Sequence, residues 1–262
     1  MTVRPTTAPG DAMQIARSAQ SEDWDAIVGA GGDGTINEIV NGLDAPGNCL
    51  GIFPLGTANV LASELDLPRS TADMARLIAT GATEKIHLPS LNEKRFVMMA
   101  GVGFDAKVVA AVTGPVKRRI GKLAYIWKTI TGFKRFSSTI YKIEIDGVFH
   151  SVASAVIANG HYYGGRFSCA PDARLWSPAL HVCLFEKTGA WNALRYTVGL
   201  VLGRLSRYRD VSIIVGRSIR IEGNSHDPAQ GDGDIIAHLP VEIIADCGSV
   251  NVICTSNSAT SP

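Results

Sequence analysis

The chain has 262 residues, 46% apolar and 19% charged, so it is long enough for one large or two modest globular domains. Its formal net charge of +1 gives no overall electrostatic reason to bind nucleic acid. The five cysteines are odd in number and have no CxxC spacing, so we expect reduced, mostly buried thiols. The N-terminus lacks the apolar stretch of a signal peptide, and the apolar stretch 198–203 is too short to span a bilayer. We therefore expect a cytoplasmic protein.

The first third of the chain alternates between helix and strand patterns. Apolar spacing predicts helices over 11–20, 34–43 and 70–81, a loop feeding a helix over 55–65, and short buried strands over 25–30 and 49–54. This alternation predicts a parallel sheet covered by helices, as in α/β domains.

From about residue 85 the pattern becomes mostly β. Apolar runs predict a series of strands, and Asp146-Gly147 is a hairpin signal between two of them. Helical stretches near 105–135 and 189–208 interrupt the strands. We therefore predict an α/β domain over 1–86, an antiparallel β-sandwich over 87–254 and a mobile tail over 255–262.

A glycine-rich loop, Gly29–Gly34 in VGAGGDGTINEIVNGL, follows a predicted strand and opens a helix. A helix N-terminus favours phosphate, and glycines let the backbone approach an anion closely. Asp33 repels phosphate, so it either holds a metal that bridges phosphates or orders the loop by hydrogen bonds. The competing interpretation is a tight strand–helix turn in which Asp33 is only a cap.

A second loop, FPLGTANVL at 53–61, repeats the same plan of strand, glycine, hydroxyl and helix start. In a doubly wound sheet both loops emerge at the carboxyl ends of the strands, where ligands bind. We therefore predict one phosphate-binding site built from both loops.

Five segments together resemble the diacylglycerol kinase catalytic family, which includes bacterial soluble lipid kinases and sphingosine kinases. They are GGDGTINEIVNGL, PLGTANVLASEL, GVGFDAKVV (101–109), NGHYYGGRFSCAPDARL (159–175) and QGDGD (230–234). The resemblance implies an N-terminal α/β nucleotide domain like that of NAD kinases and a C-terminal β-sandwich. It also implies transfer of the γ-phosphate of ATP to a lipid hydroxyl, with Mg²⁺.

The resemblance also implies which residues contact the nucleotide. They are Thr6, Gly31, Gly32, Asp33, Gly34, Thr35, Ile36, Asn37, Glu38, Gly56, Thr57 and Asn59. Two departures from the family are visible. An acidic DDG-like stretch, associated with a structural magnesium site, is replaced by LWSPAL at 175–180, so we expect that site to be lost or altered and assign no metal ligands. The family's first strand and its NPxSG loop would precede Thr2, so we expect the α/β domain to lack its first strand.

Asp232 and Asp234 are the catalytic candidates, because phosphoryl transfer from ATP needs a group that takes the hydroxyl proton. In an extended segment both carboxylates would lie on one side, and one could raise the pKa of the other. The family motif here is DGE, so Asp234 replaces a glutamate. The sequence leaves open which aspartate is the base, and a surface turn with solvated acids is the alternative.

Asp105 follows GVGF at the start of a predicted helix. It is either the N-cap of that helix or, as an acidic residue does in sphingosine kinase relatives, a contact of the lipid headgroup.

The segments 115–136 and 191–209 are basic with interleaved aromatic residues, which suits an anionic membrane surface. The alternative is a helix packed on the sandwich with a solvated basic face. We expect a lipid substrate, peripheral contact with the inner membrane surface and no nucleic acid partner; a homodimer is left open.

Three functions remain open at this point. The first is an ATP-dependent kinase of diacylglycerol, a sphingoid base or a related lipid. The second is a non-catalytic lipid- or nucleotide-binding relative. The third is an NAD kinase, against which QGDGD and PLGTAN argue.

Overall fold

The computed structural model describes residues 1–43, 49–111 and 139–255. Its helices are α1 (Asp11–Ala19), α2 (Asp33–Gly42), α3 (Val60–Glu64), α4 (Thr71–Thr80), α5 (Phe104–Ala111) and α6 (Ala190–Val201), with a 3₁₀ turn at Leu205–Arg207. The strands of the first half are β1 (Ile27–Gly31), β2 (Cys49–Pro54), β3 (Thr83–His87), β4 (Ser90–Leu91), β5 (Lys94–Arg95) and β6 (Met99–Val102). Those of the second half are β7 (Tyr141–Ile145), β8 (Val148–Val152), β9 (Ser154–Ala158), β10 (Leu180–Phe185), β11 (Val211–Gly216), β12 (Ser218–Glu222), β13 (Pro228–Gly231), β14 (Asp234–His238), β15 (Val241–Ile244) and β16 (Ser249–Ile253).

The first layer is a four-stranded sheet in the order β1-β2-β16-β3. Its strands β1, β2 and β16 are parallel, and β3 runs antiparallel to β16. Helices α1 and α2 pack on each other beside β1, and their buried side chains share one core with the sheet. This part confirms the predicted α/β architecture, with one antiparallel strand added at its edge.

The strand at 249–253 lies in this first sheet, whereas we had placed 249–254 in the sandwich. It fills the position between β2 and β3, where Val250 and Val252 are almost fully buried in the core of the first layer. An apolar strand has the same sequence pattern in either sheet, so the pattern could not reveal that the chain returns to its first domain. The boundary between residues 86 and 87 stays a prediction.

The second and third sheets form the predicted antiparallel sandwich. Each has six strands, in the orders β11-β10-β9-β6-β13-β14 and β5-β4-β15-β12-β7-β8. Alternate residues of facing strands, such as Ile143, Ile157, Val182 and Ile221, are buried in one shared core. Burial of apolar side chains from both sheets stabilises the sandwich.

The hairpin predicted at Asp146-Gly147 is confirmed, and the same turn recurs at Asp232-Gly233. The first joins β7 to β8 with φ of 47° and 87°, and the second joins β13 to β14 with φ of 49° and 85°. Positive φ at both central residues is the geometry that Asp-Gly favours in two-residue hairpins. Strands β13 and β14 were not predicted, because QGDGD was interpreted only as a motif.

Three further expectations can be compared with the described residues. The five cysteines are free thiols. Within the part of the chain that the structure describes, no helix has the length and apolarity needed to cross a membrane. The basic segment 115–136 and most of the predicted tail, 256–262, lie outside the described residues.

We expect Val252→Ala to lower the free energy of unfolding by about 2 kcal/mol, because it leaves a cavity at an interior strand of the first sheet. Chemical denaturation measures this change. The matched control is Val148→Ala on β8, where the side chain is 59% exposed, and there the change should stay below about 0.5 kcal/mol. Equal effects of the two substitutions would contradict the placement of β16 inside the sheet.

Candidate functional site

The two glycine loops contact each other at the carboxyl ends of β1 and β2. The Leu55 amide donates to the Gly31 carbonyl over 2.9 Å. A Cβ added to Gly56 would lie 2.6 Å from the Cα of Gly32, so the backbones meet where neither residue has a side chain. Gly32 and Gly56 therefore have a structural purpose in addition to any contact with a ligand.

Asp33 orders the second loop by a hydrogen bond, which is one of the two roles considered for it. Its Oδ1 accepts from the Leu61 amide in the first turn of α3, over 3.3 Å. The N-cap of α3 is Asn59, whose φ of 45° is left-handed and whose side chain makes no cap bond. Asp33 does not cap its own helix, because the N-cap of α2 is Gly32. The carboxylate of one loop thus satisfies an amide of the other.

A cleft of about 600 Å³ lies between these loops and the sandwich. The first domain contributes Asp33, Gly34, Ile36 and Thr57 to its lining, and the second contributes Asp105, Asp232 and Asp234. Most of the remaining lining is apolar, with side chains from β6, β9, β10 and α6. Residues that lie 195 positions apart or more in sequence are therefore brought to one site, where acidic groups meet an apolar wall.

The other predicted nucleotide residues do not line this cleft. Those residues are Thr6, Gly31, Gly32, Thr35, Asn37, Glu38, Gly56 and Asn59. Glu38 instead accepts from the Ala12 amide of α1 over 3.2 Å, which ties α1 to α2. The Asn59 amide group donates to the Gly56 carbonyl over 2.7 Å and so closes its own loop. Thr6 is exposed in the segment before α1.

The carboxylate of Asp232 accepts hydrogen bonds from four N–H groups. Its Oδ2 accepts from the side chain of Asn37 and from the Val97 amide, each over 2.7 Å. Its Oδ1 accepts from the amides of Met98 and Met99 over 2.8 and 3.1 Å. A carboxylate has about four acceptor positions, so all of those of Asp232 are used within the protein. These bonds link α2 of the first domain to the strand and the turn of the second.

Asp232 and Asp234 have different environments, because the segment turns at Asp232 and Gly233 and is not extended there. The positive φ of Asp232 turns the chain, so its side chain points into the donors described above while Asp234 starts β14. Burial raises the pKa of Asp232 above its usual 3.8, and the four hydrogen bonds oppose that rise. Asp234 is exposed at the cleft. The alternative of two solvated acids is wrong for Asp232.

Asp105 lies deeper in the same cleft and is only 5% exposed. Helix α5 begins at Phe104, so Asp105 lies inside its first turn and is not its N-cap. Its carboxylate accepts from the Tyr163 hydroxyl and, over 2.7 Å, from the Gln230 amide group. Burial raises the pKa of Asp105 above 3.8, and the two hydrogen bonds oppose the rise. A Cβ on Gly101 would lie 1.9 Å from Asp105 Oδ2, so this glycine makes room for the carboxylate.

Gln230 connects Asp105 to the Asp232–Asp234 turn. While its amide nitrogen donates to Asp105, its Oε1 accepts from the Gly233 amide over 2.8 Å. Tyr163 and Gln230 were not identified as site residues from the sequence, yet both contact Asp105 in the cleft. Their position beside recognised motif residues, in HYYGG and QGDGD, was the signal that could have identified them.

Glu64 is another residue that sequence reasoning missed. It ends α3 in the first domain, and its carboxylate accepts from the amides of His161 and Tyr162 over 2.8 and 2.9 Å. This bidentate contact attaches the HYYGG loop, and with it Tyr163, to the first domain. Nothing in the local sequence distinguishes Glu64 from a solvated helix residue.

The oxygen ligands at the polar end of the cleft suit a magnesium–nucleotide complex. Among residues 1–43, 49–111 and 139–255, no group of three or more His, Cys, Asp or Glu side chains is arranged to hold a metal alone. Mg²⁺ in kinases is commonly bound by one or two carboxylates together with substrate phosphates. Asp33 and Thr57 line the cleft and carry a carboxylate and a hydroxyl, which are oxygen groups of this kind.

Comparison with known families assigns both parts of the chain. Residues 1–91 match the profile of the diacylglycerol kinase catalytic domain. Residues 98–254 match the profile of the YegS C-terminal NAD kinase beta sandwich-like domain. The chain belongs to the diacylglycerol kinase family of lipid kinases.

Individual relatives agree with this assignment over nearly the whole chain. A diacylglycerol kinase of Bacillus subtilis strain 168 is 29% identical over 97% of this chain and 86% of its own length. A probable lipid kinase YegS-like of Enterobacter sp. strain 638 is 29% identical, over 91% of this chain and 83% of its own. The crystal structure of a diacylglycerol kinase from Bacillus anthracis strain Sterne superimposes with a TM-score of 0.74 and 26% identity, covering 97% of this chain and 85% of that chain.

We expect Asp232→Asn to destabilise the protein by about 2–5 kcal/mol. Asparagine has an NH₂ group in place of one carboxylate oxygen. Because each oxygen of Asp232 accepts from two N–H groups, two donors then lose their acceptor. Urea denaturation measures this change. Asp234→Asn is the matched control at the exposed end of the same turn, with an expected change below about 0.5 kcal/mol. Equal stability of the two variants would contradict a stabilising contribution from the four hydrogen bonds to Asp232.

We expect the stability difference between Asp105→Asn and the parent to depend on pH. An aspartate whose pKa is raised on folding binds more protons in the folded state, so its contribution to stability falls as pH rises above 3.8. An asparagine does not titrate. The free energy of unfolding of the variant, relative to that of the parent, should therefore increase between about pH 4 and pH 7. Denaturation at several pH values measures it, and a pH-independent difference would contradict the raised pKa of Asp105.

Proposed function

We propose that the protein is an ATP-dependent lipid kinase that transfers the γ-phosphate to the hydroxyl of diacylglycerol or a related lipid alcohol, such as a sphingoid base. The observation that carries this proposal is a single cleft that combines a largely apolar wall with residues of both glycine loops and with four aspartates, Asp33, Asp105, Asp232 and Asp234. A lipid alcohol has the matching arrangement of a long apolar chain and one reactive hydroxyl.

The apolar wall favours a lipid over a polar second substrate. Side chains such as Phe167, Phe185, Leu200 and Leu205 line the cleft on the sandwich side. Each methylene transferred from water to such a surface contributes about 0.8 kcal/mol. NAD, the substrate of NAD kinases, presents sugar hydroxyls and charged phosphates, and it would leave this wall unused.

The glycine loops favour a nucleotide at the opposite end. Helix α2 starts at Asp33 directly after β1, so its first amides and partial positive charge point towards the carboxyl edge of the sheet. Gly34 is exposed in that first turn, and a Cβ built on it meets no protein atom within 4 Å. The space beside Gly34 is therefore available to phosphate groups. Bound Mg²⁺, held by Asp33 and the phosphates themselves, would neutralise the phosphate charge.

The two aspartates of the turn differ in the roles they suit. Asp232 would have to give up a hydrogen bond to accept a proton from the substrate, because all four of its acceptor positions are used. Asp234 is exposed in the cleft and can approach a hydroxyl. We therefore assign proton acceptance to Asp234 and positioning of the turn to Asp232.

A panel of lipids with labelled ATP tests this function. We expect phosphate transfer to diacylglycerol, a sphingoid base or another lipid alcohol, and a fall of about two to four orders of magnitude in kcat for Asp234→Asn. The variant's melting temperature serves as the control for folding. ATP binding without transfer to any lipid would instead support a non-catalytic relative. Phosphorylation of NAD in preference to every lipid would contradict the proposal.

We expect Gly34→Ala to weaken ATP binding without destabilising the protein. The new methyl group meets no protein atom but occupies the space proposed for phosphate. Alanine also favours a helix by about 1 kcal/mol over glycine, so the melting temperature should stay equal or rise. Calorimetry measures the affinity, and Gly34→Val extends the steric series. If both variants bound ATP as tightly as the parent, the proposed binding of phosphate groups beside Gly34 would be contradicted.

A further inference from the structure

The outer face of α6 exposes several large apolar side chains along one side of the helix. Trp191 is 75% exposed, Val198 45% and Leu202 58%. At about 3.6 residues per turn, these three positions lie within about 40° of arc on one side of the helix. Val201, 44% exposed, lies on the flank of the stripe. We call these four residues the α6 stripe.

The α6 stripe is additional to the face by which the helix packs on the protein. That inner face buries Ala193, Tyr196 and Gly199. Tyr196 packs against Phe185 with ring centroids 5.0 Å apart, and a Cβ on Gly199 would lie 2.7 Å from the ring of Tyr208. The helix therefore has a complete buried face without the stripe. Several large apolar side chains exposed on one side of one helix are typical of an interaction surface.

The ionisable residues next to the stripe in sequence are mostly basic. Arg204, Arg207 and Arg209 follow the helix and are exposed. Between Lys187 and Arg209 the sequence contains no aspartate or glutamate. The next acid, Asp210, is buried and accepts hydrogen bonds from Arg195 and Tyr196, so it offers little negative charge to this surface. An apolar stripe with a cationic border is complementary to an anionic bilayer surface.

The same helix also forms part of the cleft. Thr197, Leu200 and Val201 line it, as does Leu205 of the following 3₁₀ turn. Val201 belongs both to the stripe and to the lining. The stripe and the lining of the cleft therefore meet at Val201, on one element.

We infer that α6 is the membrane-docking element of this protein. Trp191, Val198 and Leu202 enter the headgroup region of an anionic phospholipid surface, and the following arginines pair with its phosphates. The cleft then opens onto the bilayer, where the substrate resides. This inference rests on the proposed lipid kinase function for its purpose, although docking can be measured independently.

Vesicle sedimentation with the whole chain tests the docking. The vesicles contain either phosphatidylglycerol and phosphatidylcholine or phosphatidylcholine alone. We expect binding to the anionic vesicles that weakens with added salt, since surface charges are screened over about 10 Å at 0.1 M ionic strength. The triple variant Trp191→Gln, Val198→Gln, Leu202→Gln should bind at least about tenfold more weakly, because burial of apolar surface and attraction to anionic lipid both contribute to interfacial binding.

A matched control uses apolar residues of similar exposure elsewhere. Val148 and Phe149 on β8 are 59% and 57% exposed and do not line the cleft. Val148→Thr, Phe149→Thr should bind vesicles as the parent does. Arg204→Gln, Arg207→Gln should reduce both the affinity and its dependence on salt. Circular dichroism and melting temperature show whether each variant is folded.

Quenching of Trp191 by brominated lipids gives a second readout. Emission of the parent should be quenched on anionic vesicles, and Trp191→Phe should lose most of the quenching while it retains binding. Absence of parental binding, or equal loss in the β8 control and the α6 triple variant, would overturn the inference. So would a concentration-dependent dimer that the α6 variant abolishes, because the stripe would then bind a second copy of the chain.

The outcome can be separated from that of the proposed function by a water-soluble short-chain diacylglycerol. If α6 only docks the protein, the triple variant should phosphorylate this soluble lipid at the parental rate and long-chain lipid in vesicles at least about tenfold more slowly. Vesicle binding without phosphorylation of any lipid would contradict the kinase proposal alone. Phosphorylation of the soluble lipid without vesicle binding would contradict the docking inference alone.

Discussion

The carboxylate of Asp232 is the contact on which the geometry of the site depends. It accepts from Asn37 on α2 and from three consecutive amides at 97–99, at distances of 2.7 to 3.1 Å. A carboxylate that loses hydration on folding is stable only when such donors compensate for the loss. The Asp232 side chain therefore helps to attach the first domain to the sandwich, and it fixes the turn that presents Asp234. The side chain of Gln230 connects this turn to Asp105 by one hydrogen bond to each.

A second constraint, the absence of side chains at Gly32 and Gly56, sets the other side of the cleft. Their backbones touch, so the loops after β1 and β2 form one surface, and Asp33 of the first loop bonds to an amide after the second. The sandwich provides the apolar wall opposite this surface. Two domains with different chemistry thus supply the polar and apolar halves of one cleft, which is what transfer between a nucleotide and a lipid requires.

Local patterns in the sequence predicted much of this fold. Hydrophobic periodicity identified α1, α2 and α4, and the strand–glycine–helix order correctly indicated loops at the carboxyl edge of a parallel sheet. The return of β16 to the first sheet could not be predicted in this way, because sheet membership depends on contacts between residues about 200 positions apart. The resemblance to a known family supplied the order of the motifs, which composition and spacing alone did not explain.

The site was harder to predict than the fold, because its properties depend on which donors surround each acid. Asp232 and Asp234 are two residues apart and look equivalent in sequence, yet one is saturated with hydrogen bonds and the other is exposed. The difference follows from the left-handed turn and from Asn37, a residue 195 positions away. Glu64 acquires its role in the same non-local way, through the amides of His161 and Tyr162, so a pattern in a single segment could not reveal it.

The pH dependence of kcat/KM in Asp232→Asn and Asp234→Asn tests most directly the claim that Asp232 positions and Asp234 accepts the proton. A rate that needs an ionised base rises with pH through the pKa of that base. The account predicts that Asp232→Asn lowers kcat/KM but keeps the parental rise with pH, and that Asp234→Asn removes the rise. A rise that disappears in Asp232→Asn and persists in Asp234→Asn would contradict this assignment.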